Sequence, residues 1–148
     1  RAAMVDVSAK DRTARRAAAR GSVSLRPDVI DKIISGGIAK GDVLQVARVA
    51  AVGAAKKTSD LIPLCHPLSL TQVSVEFSAD RDAGTIVIDA EAKAMDRTGV
   101  EMEALAAATI AALTIYDMCK AVQRDISIGP FYLMEKEGGK SGSYKREA

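Results

Sequence analysis

The chain has no tryptophan, only two phenylalanines and three tyrosines. Proteins that grip single-stranded nucleic acid stack successive bases on aromatic rings, and so few rings scarcely supply such a platform. Histidine occurs once and cysteine twice. Two thiols are too few for the disulfide framework of a small secreted domain, so reduced cysteines in a cytoplasmic protein are expected. An excess of one charge is missing too: 21 Lys and Arg stand against 19 Asp and Glu, for a net +2. That balance does not make a polyanion-coating surface, and any anion site must come from locally placed cations. The opening "RAAMVDVSAKDRTARR" lacks the apolar stretch of a signal peptide. Charges interrupt the longest apolar run before the length of a membrane span. Neither nucleic acid nor a membrane is an expected partner.

What the chain does have is aliphatic content. It is 48% hydrophobic and 27% charged over 148 residues, the profile of one folded domain with a usable core. Residues 1–20 are polar and rich in Ala and Arg, with no period that would bury a face, and read as a flexible N-terminal arm. "SVSL" (22–25) reads as a short strand. Pro27 opens a short helix that Gly36-Gly37 stops. From Asp42, "DVLQVARVAAVGAAKK" is apolar almost all round and predicts a buried or interface helix ending near Lys56 and Lys57. "LTQVSVEFSAD" (70–80) alternates apolar and polar residues, and "GTIVIDAEAKAM" (84–95) does so less strictly; the loop between them makes an antiparallel pair. A long helix is expected from about Gly99 to Val122, with Asp96 and Thr98 as candidate caps. A last strand, "ISIGPFYLMEK", precedes a Gly-rich tail over 138–148, expected to be flexible. Helix, strand, strand, helix, strand predicts a two-layer α+β sandwich, with helices on one face of an antiparallel sheet. The arm and tail then flank a single catalytic domain at 21–137.

Within the long helix, Glu101, Glu103, Asp117 and Lys120 interrupt an apolar sequence. Asp117 and Lys120 are three apart and share a face. Such a pair is either a surface ion pair worth little or a partly desolvated couple able to divide base and acid roles, and neighbouring Ile115, Met118 and Cys119 favour the second. Glu103 lies about 40° from Asp117 around the axis but roughly 21 Å along it. Either the ligand is long or the site is assembled from different subunits.

The only histidine sits in "DLIPLCHPLSL" (60–70), between Pro63 and Pro67. It is an ordinary turn residue or part of a stiff recognition loop, in which case little conformational freedom is lost on binding. Cys65, His66 and distant Cys119 do not match a zinc-ligand spacing. "GGKSG" (138–142) resembles the end of a phosphate-binding loop, but Met134 stands where that motif needs glycine and no helix follows. A Gly-rich flap carrying Lys140 over an anion and a floppy tail remain as readings.

"KKTSDLIPLCHPLSLTQVSVEF", "TGVEMEALAAATIAALTIYDMCKAV" and "EKEGGKSG", in that order, resemble the MoaC family of molybdenum cofactor biosynthesis, the cyclic pyranopterin monophosphate synthases. The resemblance runs from about Met4 to Ser143. It implies a ferredoxin-like fold, a cytoplasmic homohexamer built as a trimer of dimers, and an active site at a dimer interface. It implies a lyase that converts 3′,8-cyclo-7,8-dihydroguanosine 5′-triphosphate to cyclic pyranopterin monophosphate and pyrophosphate. By the same resemblance Asp117 and Lys120 are catalytic. Leu64, Cys65, His66, Glu101, Met102, Glu103, Lys40, Lys56, Lys136 and an arm arginine, Arg15 or Arg16, bind the substrate. No cofactor or protein-held metal is required, although Mg²⁺ is compatible with the triphosphate. Several lysines suit a triphosphate, and an adjacent carboxylate and ammonium suit successive proton transfers. A non-catalytic guanine-nucleotide-binding regulatory module on the same scaffold is the alternative.

Overall fold

The computed structural model describes residues 1–140 and 142–147. Its elements are β1 (Thr13–Ser24), α1 (Pro27–Ser35), α2 (Val43–Lys56), α3 (Thr58–Leu61), β2 (Leu70–Asp80), β3 (Thr85–Asp96), α4 (Glu101–Cys119), β4 (Ser127–Glu137) and β5 (Tyr144–Lys145). The sheet is antiparallel throughout, in the order β2-β3-β1-β4-β5. Without β5 this is the βαββαβ arrangement of a ferredoxin-like sandwich, with the helices packed on one side. The α+β expectation is met; the short strand expected at 22–25 is the end of the longer β1, and β5 is one more strand near the C-terminal end.

The first of these strands overturns the flexible reading for residues 13–20. Thr13–Ser24 is the central strand, paired with β3 along its whole length and with β4 on its other side. Its pattern alternates after all: Arg15, Ala17, Ala19, Gly21 and Val23 are buried, whereas Arg16, Ala18, Arg20 and Ser22 lie on the open face. The inward residues are small because α4 lies across β1 and β3. Ala17, Ala19, Ala90, Ala92 and Ala94 of the sheet are buried with Ala104, Ala107, Ala108, Ala111 and Ala112 of α4. Interiors are packed to crystal-like density, so a layer of alanines demands close approach of helix and sheet. On the open face Arg16 meets Glu91 at 2.8 Å and Glu135 at 3.0 Å, and Arg20 meets Asp89 at 2.7 Å. Arg20 stands directly opposite Asp89, whereas Arg16 reaches Glu91 and Glu135 on the diagonal, and such cross-strand pairs of opposite charge hold that surface together.

The helix boundaries follow from local chemistry. Pro27 begins α1 and Gly36, with φ of 77°, ends it, the positive φ favouring glycine. The Asp42 carboxylate caps α2 by accepting from the Gln45 backbone N–H at 3.3 Å. Neither Asp96 nor Thr98 caps α4 as expected: Asp96 accepts instead from the backbone of Ser69 and Arg97, both at 2.8 Å. Helix α4 ends at Cys119 rather than Val122. It is long and apolar enough by composition to cross a membrane, yet nine of its residues are buried within the fold as its central helix. The tail also departs from the flexible reading. After the Gly138-Gly139 turn it returns as β5 against β4, and Arg146 stacks 4.3 Å from the Tyr132 ring centre. Ser141, inside the "GGKSG" stretch, and Ala148 lie outside the described residues.

Candidate active site

Helix α4 carries polar groups at both ends. At its C-terminal end Asp117 is gripped from two directions: Lys120 Nζ lies 2.8 Å from one carboxylate oxygen and Lys40 Nζ 3.0 Å from the other. Lys40 comes from the Ile38–Gly41 turn before α2, so this triad joins residues 77 apart in sequence. Hydrogen bonds from Lys120 and then Lys40 hold the Asp117 carboxyl below its usual range, and Asp117 in turn raises Lys120. The pair is not desolvated within the chain, contrary to the expectation from its neighbours. Ile115, Met118 and Cys119 turn inward, while the Asp117 and Lys120 side chains are each 53% exposed.

The N-terminal end of α4 is the opposite case. Glu103 is only 2% exposed. Its Oε2 has the Cys65 thiol at 4.0 Å, and its Oε1 has no hydrogen-bond partner among the described residues. Burial, reinforced by the Glu101 and Asp96 charges, pushes this carboxyl from 4.5 to about 7. Removing a carboxylate from water without a partner disfavours its charged form, so Glu103 is poised to take up or release a proton near neutrality. Burial, followed by the Glu103 and Glu101 charges, also raises the Cys65 thiol. Glu101 faces Lys136 of β4 at 3.6 Å. Met102 is exposed beside them, as is Leu64 in the loop that brings Cys65 over the helix.

Arg15 settles on this side of the sheet, 5% exposed, donating to the carbonyls of Asp96 at 3.3 Å and Arg97 at 3.1 Å. Adjacent Arg16 points to the open face and is taken up by the carboxylates there. The structure thus separates two arginines that the sequence left as alternatives. Gly139, with φ of 75°, lies directly against the Arg15 guanidinium, where a β-carbon would collide; only glycine suits both the space and the backbone. His66 shares a cleft with Met4–Ser8 and Arg97. Helix α2 starts beside Asp117 through Lys40 and leads through α3 to the Cys65 loop over Glu103, so it runs antiparallel to α4. Lys56, exposed at its end, therefore belongs to the end of the molecule that holds Glu103.

The residues singled out in sequence form two groups. Lys40, Asp117 and Lys120 occupy one end of α4; Arg15, Lys56, Leu64, Cys65, His66, Glu101, Met102, Glu103 and Lys136 occupy the other. Fourteen helical residues, roughly 21 Å, separate Glu103 from Asp117. Cys119 lies at the Asp117 end, buried and raised by that burial to about 11, so it cannot join Cys65 and His66 around one ion. Among the described residues there is no group of three or more His, Cys, Asp or Glu able to hold a metal. The sequence reading missed the bridging of Asp117 by Lys40, the placement of the Met4–Ser8 segment beside His66, and the position of Thr13 next to Arg15. The regular alternation of Thr13, Arg15, Ala17 and Ala19 was a signal for the last of these.

Comparison with known proteins bears on what such an arrangement does. The model of the MoaC family matches residues 4–139. A protein of Geobacter sulfurreducens named cyclic pyranopterin monophosphate synthase is 52% identical over 147 residues, covering 99% of this chain and 92% of its own. Proteins with that name from Pelobacter propionicus and Heliobacterium modesticaldum are 55% and 56% identical over 146 residues. They cover 99% of this chain and 91% and 92% of theirs.

Proposed function

The chain belongs to the MoaC family, and from that premise we propose that it is a cyclic pyranopterin monophosphate synthase of molybdenum cofactor biosynthesis. The substrate is 3′,8-cyclo-7,8-dihydroguanosine 5′-triphosphate, and the products are cyclic pyranopterin monophosphate and pyrophosphate. The observation that carries the assignment to a site is the Asp117 carboxylate held between the Lys40 and Lys120 ammonium groups. A purine-derived ring that becomes a pterin must gain and lose protons in sequence. In the exposed pair the mutual contact of Asp117 and Lys120 favours carboxylate and ammonium. Covering the triad removes water, which raises the acid and lowers the amine and brings both toward the range of useful proton transfer. Lys40 and Lys120 then neutralise phosphate oxygens in the ring closure.

The cover is a second copy of the chain. Support comes from the two half-sites lying at opposite ends of α4, since a two-fold partner running the other way brings His66 and Glu103 of one copy toward Asp117 of the other. Val46 and Val49 on α2 and Leu113 on α4 are exposed apolar residues on the helix layer, compatible with burial in an assembly. The assembly is a hexamer of three such dimers. Mg²⁺, where it assists, rides on the phosphate oxygens rather than on protein ligands, and the reaction takes place in the cytoplasm with both cysteines reduced.

Asp117→Asn tests the assignment: it should bind the cyclised nucleotide and form no product, and product at the wild-type rate would remove Asp117 from catalysis. Mixing Asp117→Asn with His66→Ala subunits should restore activity that neither has alone; no recovery after verified exchange would argue against a shared site. A non-catalytic guanine-nucleotide module would bind tightly without turnover in the wild type as well, and the names of the relatives disfavour it.

A further inference from the structure

Beside the groups already described lies a small cleft lined by Lys10, Asp11, Thr13, Arg15, Gly139 and Lys140. We propose that this cleft seats the two phosphates that leave as pyrophosphate, with the Thr13 hydroxyl as a specific donor to them. The assignment rests on the reading of the chain as a synthase that releases pyrophosphate, and it adds to that reading a place and a residue.

Three independent features converge here. First, the Thr13 Oγ1 atom is buried and has no hydrogen-bond partner among the described residues. A buried hydroxyl left unsatisfied is costly, and it calls for an acceptor that the fold itself does not provide. Second, Thr13 and Arg15 are two apart on β1 and project to the same side of the sheet. Arg15 is 95% buried by its 5% exposure, and the carbonyls of Asp96 and Arg97 fix its guanidinium through Nε and Nη2. Its Nη1 side packs against Gly139, and the guanidinium lines the cleft on a rigidly held fork. Third, the remaining cations stand on the flanks: Lys10 and Lys140 are both exposed side chains lining the cleft. Asp11 is the only carboxylate among its lining residues.

The size fits a fragment rather than a whole nucleotide. The cleft encloses about 190 Å³, whereas pockets for drug-sized ligands run about 300–1,000 Å³. A diphosphate presents only acceptor oxygens, which match a hydroxyl, a guanidinium and two ammonium groups, all donors. In the ring closure a substrate hydroxyl oxygen forms a bond to the α-phosphorus. The bond from that phosphorus to the oxygen leading to the β-phosphate breaks, and pyrophosphate leaves with that oxygen and the electron pair. The hydroxyl proton passes to the base at the reacting centre. Charge builds on the leaving group as it departs, where donors held in advance stabilise it most.

The test uses inorganic pyrophosphate as the probe, titrated calorimetrically into the full chain at fixed salt, with thermal melting and turnover recorded on the same samples. Thr13→Val should weaken pyrophosphate binding about tenfold, equivalent to about 1.4 kcal/mol, whereas Thr13→Ser should stay within about twofold. Thr13→Val should also melt at or above the wild-type temperature, because it removes an unsatisfied buried hydroxyl. Lys140→Ala should weaken binding and Asp11→Asn should strengthen it. Pyrophosphate binding by Thr13→Val equal to that of the wild type would overturn the site. So would a wild type that turns over substrate yet does not bind pyrophosphate. A wild type whose pyrophosphate binding depends on Thr13 but which forms no product supports this cleft and refutes the synthase reading, so the two failures are distinguishable.

Discussion

Replacing Glu103 by glutamine is the most direct probe of how the core and the site constrain each other. Glu103 is 2% exposed, and its carboxyl is displaced from 4.5 to about 7. Below pH 4.5 folded and unfolded chains both carry the proton, and the residue costs nothing through ionisation. Between pH 4.5 and 7 the unfolded chain releases that proton while the folded chain keeps it. The folded state binds more protons there, so its stability falls as pH rises. Above pH 7 both forms are ionised and the penalty is complete. At 1.36 kcal/mol per pH unit it reaches about 3 kcal/mol. With an unfolding entropy of about 0.3 kcal/mol per kelvin for a chain of this length, the melting temperature should move by about 10 °C. Melting curves of wild type and Glu103→Gln, taken from pH 4.5 to 8.5 at one protein concentration, should coincide at the acid end. They should separate toward pH 8, the variant being the more stable. Parallel curves across the whole range would mean that Glu103 ionises as an ordinary surface glutamate, and the argument from its burial would fail.

Three further outcomes follow from the same packing and charge. Ala108→Leu, at a fully buried position where α4 meets the sheet, should cost about 1–3 kcal/mol by overpacking, read as a drop in the denaturant midpoint. Arg16→Ala loses ion pairs that sit on the open face; it should cost about 1 kcal/mol or less and leave turnover near wild type. A thiol-specific reagent at pH 8 should modify half-buried Cys65 well before Cys119, which is buried with its thiol raised to about 11. Mass spectrometry of peptides after partial labelling would reveal a reversed order.

The elements most legible in the sequence are those whose own chemistry decides them. The β2–β3 hairpin shows in the alternation of Val73, Val75 and Phe77 with Gln72, Ser74 and Glu76. Helix α1 is bracketed by Pro27 and Gly36, and α2 shows in the nearly all-round apolar run that starts at Asp42. Strand β1 was hidden for the same reason that it works. Its inward residues include Arg15, Ala17 and Ala19, a charged side chain and two alanines that mark helices by propensity, and they form a strand here because β3 and β4 flank them on both sides. The candidate site divides likewise. Asp117 and Lys120 lie three apart on one helix, so their contact is written locally. Lys40 reaches the same carboxylate only because α2 folds back along α4, and nothing near Lys40 in sequence points there.

Glu103 and Asp117 make the division sharpest, because they occupy similar positions around the axis of one helix. The sequence by itself determined the residue types, their spacing on α4, the hairpin and the family motifs, all of which depend on neighbours within a few turns. Only the tertiary structure decided that one carboxyl is sealed under the Cys65 loop while the other is left open between two lysines. Proton affinity depends on which distant segments exclude water from a group, and that is a property of the folded layers rather than of any local stretch.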